Sequence, residues 1–600
     1  MAKRLKFDWI TLLVSFCVIN AATKNLSPES HLVQTQNGPI QGIVKEARGG
    51  AKYVAFLGLR YANPAVRFQP AEPLQEKWET PKVADTFGSV CPQSNWQQAQ
   101  GDINCLFLNI YVPEKHLKTE GAPAKLPVMF WVHGGGFSSG EGNNYGPEYF
   151  MENEDIILVT VNYRLGFLTT GDDIIPSNIG LKDIVEALRF VHENIPAFKG
   201  DNSAVLIFGE SAGSAAVHYL LMTPAAEGLV NAAILQSGVT SFWSYDPNPR
   251  QTAIKLAKES LGCESIQENA ESLRNQSLQI RECLEKANMT QLLMSQVTFW
   301  PRWPTTNIIS RFLPTAEVAS ESDDSYDPFF ASRPQLSLSG KQNVYSSKIP
   351  VIIGITADEG ATAFAKSVYD NKEKLQQLNS EWNKIAPITF CYEGHFPDNK
   401  LSEISEKIKN FYFGSNTVAL ENKQALADLY SDTGFLLPTL SVANEMARDG
   451  MSVYPYIFSY WGGSSIRSIL SPNSADIFPG KAGHGDDLQY LFPHPLFGKE
   501  FKKGSEQEDF SKAFVDLWTS FAKNGKPTVK GSNGNTIDWK PIQFQNETVL
   551  GLELLEIDLT PSIIKLDLKD RIDFWRNLIQ NYTQEKEAYE EETTTTKAEL

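Results

Sequence analysis

Short apolar runs rich in β-branched residues recur along the 600-residue chain, and each has the length of a buried strand. The runs are Leu126–Val132, Ile156–Val161, Ala204–Phe208, Ala232–Leu235, Val351–Ile355 and Val453–Phe458. Between the second and third runs, Leu181, Ile184 and Leu188 are spaced by three and four residues, which predicts an amphipathic helix. Continuous apolar strands that alternate with helices are typical of the α/β class. We therefore expect a large, twisted, mostly parallel central sheet with helices on both faces.

The first residues have the composition of a secretory signal peptide. Lys3, Arg4 and Lys6 form a positive segment before the short apolar run Trp9–Ile19. Small residues follow, so we predict a cleaved signal peptide over residues 1–22. An uncleaved signal anchor is the alternative, but the run is short for a membrane span. No later run is apolar and long enough to cross a bilayer, so we expect no transmembrane segment after the signal peptide.

The rest of the chain has no linker that would divide it, so residues 23–585 are predicted to form one domain. Residues 586–600 are acidic and of low complexity, which predicts a disordered tail. Their last four letters, KAEL, resemble the Lys-Asp-Glu-Leu signal for retention in the endoplasmic reticulum. We therefore expect a protein of the secretory pathway that is either held in the endoplasmic reticulum lumen or secreted.

Charge and cysteine content narrow the possible partners and the compartment. The formal net charge of −17 argues against nucleic acid or anionic lipid as a partner, because both bind basic surfaces. Two pairs of cysteines that are close in sequence, Cys91–Cys105 and Cys263–Cys283, are the expected disulfides of an oxidising compartment. Cys391 is then the odd one, expected to be a buried thiol, and no spacing suggests a metal site. Sequons predict glycosylation at Asn275, Asn288, Asn546 and Asn581.

The stretch FGESAGSAA contains the candidate nucleophile, Ser211, between Gly209 and Gly213. It follows the strand-like SAVLIF and precedes AGSAAVHYLLM, which can form a helix. A G-x-S-x-G motif in this strand–turn–helix context is typical of a nucleophile elbow, in which the two glycines remove side chains that would collide. The helix that begins there also stabilises negative charge near its first turn.

A serine nucleophile needs hydrogen-bond donors for the oxyanion of its tetrahedral intermediate. The strand VMFWV leads into HGGGF, where successive glycines expose backbone N–H groups. In hydrolases with this elbow, the donors come from such a loop and from the residue after the nucleophile. We therefore expect the oxyanion hole to be formed by Gly135, Gly136 and Ala212.

The serine also needs a histidine base and an acid, which follow it in the order Ser, acid, His in hydrolases with this elbow. His395, His484 and His494 remain as candidates, and His484 lies on a glycine-flanked loop in KAGHGDDLQYLF, beyond a predicted strand. We choose His484 for this reason. The acid follows the strand VIIGIT, where Glu359 and Asp358 are adjacent, and the residues alone barely separate them.

The order and spacing of these motifs resemble the type B carboxylesterases, the cholinesterase-like branch of the α/β-hydrolase fold. The resemblance extends over almost the whole mature chain, through NGPIQG, FLGLRYANP, RFQP, CLFLNIYVP, HGGGF, NYRLGFL, FGESAGS, LQSG, ADEG and HGDDLQYLF. It implies a triad of Ser211, Glu359 and His484, and so decides for Glu359 over Asp358. It also implies supporting positions beside the nucleophile at Glu210 and after the strand AAILQ at Ser237, together with the same oxyanion donors and disulfides.

The chain departs from this family at one structural pair. The family usually has Ser-Glu-Asp before the second cysteine, and its glutamate pairs with the arginine of RFQP. Here the stretch is Asp102-Ile103-Asn104-Cys105, so Arg67 loses that partner and Asp102 is expected to replace it. The juvenile hormone esterase branch resembles GQSAG, with a glutamine before the nucleophile, whereas this chain has Glu210 there. The stretch HGDDLQYLF looks most like that of general carboxylesterases of invertebrate type.

The resemblance implies a serine hydrolase that cleaves small-molecule carboxylic esters to acid and alcohol through an acyl-serine intermediate. It implies broad or detoxifying specificity and no cofactor. Aromatic residues that resemble the acyl pocket of the family, and could instead be ordinary core residues, are Phe242, Trp243, Phe299 and Trp300. The alternatives are a slow binding or scavenging protein and a neuroligin-like adhesion protein of the same fold. Adhesion proteins of that kind usually lose a triad residue and gain a transmembrane helix.

Overall fold

A computed structural model describes residues 30–94, 98–121, 124–266, 272–298, 312–317, 328–330, 343–361, 364–462, 465–466, 477–494, 501–531, 534–543 and 552–582. The predicted signal peptide, the aromatic pair Phe299 and Trp300, the sequon at Asn546 and the predicted tail lie outside these residues. The domain limits expected from the sequence also lie outside them and stay predictions.

Within the described residues, thirteen strands form one sheet and two short pairs lie apart from it. The strands in chain order are β1 (Ser30–Gln34), β2 (Pro39–Glu46), β3 (Lys52–Arg60), β4 (Lys82–Val83), β5 (Gln93–Ser94), β6 (Ala99–Gln100), β7 (Phe107–Pro113), β8 (Leu126–Val132), β9 (Ile157–Val161), β10 (Gly200–Glu210), β11 (Ala232–Gln236), β12 (Val351–Thr356), β13 (Val453–Phe458), β14 (Val529–Lys530), β15 (Thr536–Ile537), β16 (Glu553–Ile557) and β17 (Ser562–Lys565). The order across the sheet is β1-β2-β3-β7-β9-β8-β10-β11-β12-β13-β16-β17, with β4 beside β2. The separate pairs are β5 with β6 and β14 with β15.

The central part of the sheet is parallel, from β9 to β16 in this order. The apolar runs predicted as strands form β8 to β13 and lie in this part. The flanking strands are antiparallel, except for the short β4, which is parallel to β2. The apolar pattern does not predict these flanking strands. The reason is visible in β2, PIQGIVKE, which mixes polar and apolar residues because it is less completely buried.

Apolar side chains cover both faces of the parallel strands. Alternate residues of β8 point to opposite faces, so Phe130 and Val132 join one hydrophobic core, and Met129 and Trp131 join the other. Burial on both faces requires apolar residues at nearly every position, and this explains the continuous runs in the sequence.

Helices pack against both cores. Those of the described residues are α1 (Glu114–Lys118), α2 (Ile179–Asn194), α3 (Ala212–Met222), α4 (Pro249–Lys255), α5 (Leu273–Lys286), α6 (Met289–Thr298), α7 (Ala365–Tyr369), α8 (Lys372–Ser380), α9 (Trp382–Thr389), α10 (Leu401–Phe413), α11 (Lys423–Ser431), α12 (Leu437–Arg448), α13 (Glu506–Asn524) and α14 (residues 569–582). The helix predicted from the spacing of apolar residues is α2, and its Leu181, Ile184 and Leu188 are buried in the first core. Among the described residues, no helix is both apolar enough and long enough to span a bilayer.

Two disulfides join Cys91 to Cys105 and Cys263 to Cys283. Cys391 belongs to neither bond and is half-buried, so the expectation of a buried thiol is wrong. Three of the predicted glycosylation sites, Asn275, Asn288 and Asn581, are exposed.

The expected replacement of the family's acidic partner of Arg67 is also wrong. The guanidinium of Arg67 donates to the backbone carbonyls of Leu284 and Ala287, at 2.9 and 3.0 Å. These carbonyls lie at the end of α5, where they lack helical partners and carry partial negative charge, so they satisfy the cation without a carboxylate. Asp102 instead accepts a hydrogen bond from the backbone N–H of Asn104.

The register of the parallel strands brings several loops to one edge of the sheet. Gly209 of β10 lies opposite Val132 of β8 on one side and Leu235 of β11 on the other. Gln236 of β11 lies opposite Gly354 of β12. The segments that follow these strands therefore meet at the carboxyl edge of the sheet, where the sites of open α/β sheets lie.

Candidate active site

Ser211 occupies a sharp turn between β10 and α3. Its φ of 57° and ψ of −123° are rare for a residue with a side chain, and its backbone N–H donates to the carbonyl of Gln236 at 2.8 Å. A Cβ atom on Gly213 would lie 2.1 Å from the carbonyl oxygen of Val132, and one on Gly238 would lie 2.0 Å from that of Ser211. The neighbouring backbone therefore encloses the turn so closely that it holds Ser211 in its strained conformation.

A chain of hydrogen bonds connects Ser211 to His484 and Glu359. His484 Nε2 lies 2.9 Å from Ser211 Oγ, and His484 Nδ1 lies 2.6 Å from Glu359 Oε2. The imidazole is held between a hydroxyl and a carboxylate, so Nδ1 donates to Glu359 and Nε2 is free to accept the proton of Ser211. The side chain of Glu359 is fully buried and that of His484 is 13% exposed. The structure thus brings together three residues that are far apart in the sequence.

Asp358 and Glu359 have different partners in the structure. The carboxylate of Glu359 accepts from the backbone N–H of Thr356 at 2.7 Å through the oxygen that does not contact His484. Asp358 accepts from the side-chain amide of Gln424, and its backbone pairs with the segment just before His484. Asp358 therefore supports the loop of His484, whereas Glu359 contacts the imidazole itself.

The other histidines considered from the sequence lie elsewhere. His395 Nε2 donates to the backbone carbonyl of Phe242 at 3.1 Å. His494 packs against the ring of Tyr145, and burial lowers its pKa to about 4. Neither of these contacts involves Ser211, whereas His484 lies within hydrogen-bond distance of its hydroxyl.

Glu210 places a second carboxylate beside the imidazole. Its Oε1 lies 3.3 Å from His484 Nε2. Burial raises the pKa of Glu210 to about 8, although the nearby imidazole opposes this effect. Burial by itself would lower the pKa of His484, but the charges of Glu210 and Glu359 raise it to about 9. Because a proton on Glu210 removes one of these charges, the two groups titrate together.

The loop after β8 forms a cradle of backbone amides against the nucleophile. Gly135 and Gly136 have φ values of 109° and 62°, a region that favours glycine. A Cβ atom on Gly134 would lie 3.1 Å from the Cβ of Ser211, so the loop passes directly over the elbow. Among the described residues, no acceptor bonds the N–H groups of Gly135 or Gly136. Ala212 is the first residue of α3, where an amide has no intrahelical acceptor.

Ser237 lies directly after β11 with a φ of 55°, and its backbone N–H donates to Gly354 at 2.8 Å. Its hydroxyl is buried and has no hydrogen-bond partner within the described residues. Nearby, Asp487 is fully buried and accepts from Gln236 at 2.7 Å, and burial raises its pKa to about 6. The buried hydroxyl of Ser237 and the buried carboxylate of Asp487 therefore add polar groups to this region, and the charge of the imidazole of His484 acts on Asp487.

Aromatic rings line one side of the site, but they only partly match the expected set. Trp243 lies 6.4 Å from Phe137 of the glycine loop and 5.9 Å from Phe435, measured between ring centroids. The ring of Phe435 lies 4.6 Å from that of His484. Phe242 instead packs against His395, among other rings of the core. Phe435 could not be predicted as a site residue, because nothing in its local sequence connects it with a histidine about fifty residues later.

The chain matches the model of the carboxylesterase family over residues 29–575. It therefore belongs to this family and is a carboxylic ester hydrolase, as expected from the sequence.

The chain is similar to several insect proteins over most of its length. It is 33% identical to a carboxylic ester hydrolase of Bombus ignitus, with 91% of this chain and 95% of the relative covered. It is 32% identical to a juvenile hormone esterase of Tribolium castaneum, with 94% and 96% covered. The crystal structure of juvenile hormone esterase from Manduca sexta, which carries covalently attached OTFP, matches with a TM-score of 0.73 and 26% identity. That match covers 92% of this chain and 99% of the other and confirms the α/β-hydrolase fold.

Proposed function

We propose that this protein hydrolyses small carboxylic esters through an acyl-enzyme intermediate on Ser211. The observation that carries the proposal is the continuous hydrogen-bond chain from Ser211 through His484 to Glu359. The family is one of carboxylesterases, and this arrangement supplies the nucleophile, base and acid that ester cleavage needs.

In the first half of the reaction, His484 takes the proton of Ser211 as its oxygen attacks the ester carbonyl. Glu359 holds the imidazole in the tautomer that accepts at Nε2 and stabilises the imidazolium that forms. The protonated imidazole then gives its proton to the leaving alcohol. In the second half, water attacks the carbonyl carbon of the acyl-serine as His484 takes one proton from it. The bond from that carbon to Ser211 Oγ then breaks, His484 returns the proton to Ser211, and the acid leaves.

The oxyanion of each tetrahedral intermediate is stabilised by the amides of Gly135, Gly136 and Ala212. Support comes from the position of the glycine loop over Ser211 and from amides that no described acceptor engages. Removing one such donor in other hydrolases costs about 3–4 kcal/mol of transition-state stabilisation. The carboxylate of Glu210 lies near the imidazole and favours its protonated form, and the backbone of Gly238 packs closely against that of Ser211.

The acyl group of the substrate lies against Trp243 and Phe435. The ring of Trp243 packs near Phe137 of the glycine loop, and the ring of Phe435 packs against the imidazole of His484. An aromatic wall close to the base favours short acyl groups, such as acetyl or butyryl, over long ones. This proposal replaces Phe242 with Phe435 in the expected pocket. Broad specificity of a detoxifying kind stays a prediction from the resemblance.

The proposed compartment is the secretory pathway. Two disulfides and exposed sequons at Asn275, Asn288 and Asn581 support it. Retention in the endoplasmic reticulum through the KAEL sequence is tested by deleting residues 597–600. If the sequence acts as a signal, the deletion raises esterase activity in the medium of expressing cells and lowers it inside them.

The decisive experiment for the mechanism is Ser211→Ala, assayed with a chromogenic acetate ester. The variant is expected to lose at least about four orders of magnitude in kcat. Ser203→Ala is the matched control, because Ser203 is exposed near the start of the same strand, β10, and should keep wild-type activity. Ester hydrolysis that persists unchanged in Ser211→Ala would exclude the proposed mechanism.

A further inference from the structure

A π-helical turn, Asp432–Leu436, interrupts the helical run between α11 and α12. All of its residues are buried. A π-helical turn holds one residue more than the α-helical path and is retained where that extra residue has a task, often at a functional site. The contacts on its two sides show what this task is.

One side of the turn faces the active site. The backbone carbonyl of Gly434 accepts from Trp243 Nε1 at 2.8 Å, and the ring of Phe435 lies 4.6 Å from that of His484. Just before the turn, the Ser431 hydroxyl accepts from the backbone N–H of Gly360 at 2.9 Å. Gly360 directly follows Glu359. The segment of residues 431–435 therefore contacts the residue after the acid, the indole of Trp243 in the acyl pocket, and the imidazole of the base.

The other side of the turn is anchored to the C-terminal helix, α14. The carboxylate of Asp432 is fully buried and forms a two-point ion pair with Arg571 of α14, in which Nε lies 2.6 Å from Oδ2. Tyr412 of α10 donates to the same carboxylate, and Trp575 of α14 donates to the Tyr412 hydroxyl at 2.8 Å. Arg571 and Tyr412 therefore both hold the first residue of the turn, and Trp575 in turn holds the hydroxyl of Tyr412.

We propose that the ion pair of Asp432 with Arg571 positions the active site by holding the π-helical turn in register. The inference rests on the proposed function, because it concerns the same triad and acyl pocket. A bidentate pair of a guanidinium and a carboxylate fixes orientation as well as distance. Without it, the turn can relax to an α-helical path, which rotates the following residues about the helix axis. The carbonyl of Gly434 would then leave Trp243, and Phe435 would leave the imidazole.

Asp432 and Arg571 are therefore positioning residues, which act on the reaction through Trp243 and His484. Loss of the ion pair should lower the rate of the chemical step more than it weakens binding of the ester. Misplacement of a catalytic group by about 1 Å can cost about a hundredfold in rate. The acyl preference should broaden at the same time, because the indole of Trp243 loses its anchor.

The experiment compares Asp432→Asn, Arg571→Met and Arg571→Lys in the full-length protein. Active sites are counted by stoichiometric reaction with an organophosphate, so that kcat refers only to folded enzyme. We expect kcat for a chromogenic acetate ester to fall by about fivefold or more in the first two variants, with KM within about twofold. Arg571→Lys should recover part of the loss, because it keeps the charge without the fork. The double variant that combines Asp432→Asn with Arg571→Met should have a kcat no lower than that of either single variant, because both substitutions remove the same interaction.

Asp428→Asn is the matched control. Asp428 lies on α11 with its carboxylate 3.9 Å from Arg571, but it precedes the turn and is more exposed, so its loss should leave kcat within about twofold. If Asp432→Asn fails to fold, Tyr412→Phe decides, since it removes one hydrogen bond from the same carboxylate and should lower kcat by about twofold to threefold. Wild-type kcat in folded Asp432→Asn or Tyr412→Phe, or an equal loss in Asp428→Asn, would overturn the proposal. A wild-type protein that neither reacts with the organophosphate nor cleaves the ester would instead refute the proposed function.

Discussion

Glu210→Gln removes a buried charge next to the base while it keeps the shape of the side chain. Glu210 Oε1 lies 3.3 Å from His484 Nε2, and both groups are almost excluded from water. The negative charge favours the imidazolium, so it raises the pKa of His484, which the two neighbouring carboxylates bring to about 9. Since only the neutral imidazole can accept the serine proton, activity should be lost as the pH falls through this pKa.

The size of the effect follows from the distance. Two unit charges 3.3 Å apart interact by about 5 kcal/mol at an effective dielectric constant of about 20. This energy would change the pKa of His484 by about 3 to 4, because a change of one in pKa corresponds to about 1.36 kcal/mol. Glu210 has a pKa of about 8 itself and is mostly neutral below that pH, so only part of the effect is expressed. We therefore expect the acid limb of the pH profile of Glu210→Gln to lie about one to two pH units lower than that of the wild type.

The assay is kcat/KM for a chromogenic acetate ester between about pH 5 and pH 10, which reports the ionisation of the free enzyme. Glu227→Gln serves as the control, because Glu227 is an exposed carboxylate beyond α3 and its loss changes the net charge equally. An acid limb that stays in place in Glu210→Gln, or that moves to higher pH, would refute the electrostatic reasoning.

Three further predictions concern the elbow, a disulfide and the acyl pocket. Gly213→Ala should abolish activity or folding, because the new Cβ would lie 2.1 Å from the carbonyl oxygen of Val132; wild-type thermal stability and kcat would contradict this. Replacing Cys263 and Cys283 together with serine should lower the free energy of unfolding by about 3 kcal/mol, because a 20-residue link constrains the unfolded chain. Denaturant unfolding measures this, and an unchanged midpoint would count against it. Trp243→Ala should raise the ratio of kcat/KM for hexanoate over acetate esters by about tenfold, since it enlarges the pocket; an unchanged ratio would remove Trp243 from that pocket.

Much of the fold could be predicted because burial on both faces leaves a direct mark on the sequence. The strands β8 to β13 lie between two cores and must be apolar at nearly every position, so they stand out as runs. The antiparallel flank could not be predicted in this way. Its strand β2 is only partly buried, and its mixed pattern resembles that of a loop.

The candidate site shows the same division. Gly209, Ser211 and Gly213 could be recognised because the sharp turn allows no larger residue at the two flanking positions, whatever the surroundings. Asp358 and Glu359 could not be separated from local sequence, since both are carboxylates at the end of β12. Only the packing of α11 and the loop before His484 directs one to Gln424 and the other to the imidazole.

By itself, the sequence determined the parallel sheet, the elbow and the glycine loop, because each depends on residue types that sterics or burial demand locally. Tertiary structure alone decided which groups lie next to those elements. It gave Arg67 the carbonyls at the end of α5 in place of a carboxylate, and it placed Phe435 against His484 from a distant helix. A contact between remote segments depends on how whole elements pack, and many residue types can satisfy it, so no local pattern records it.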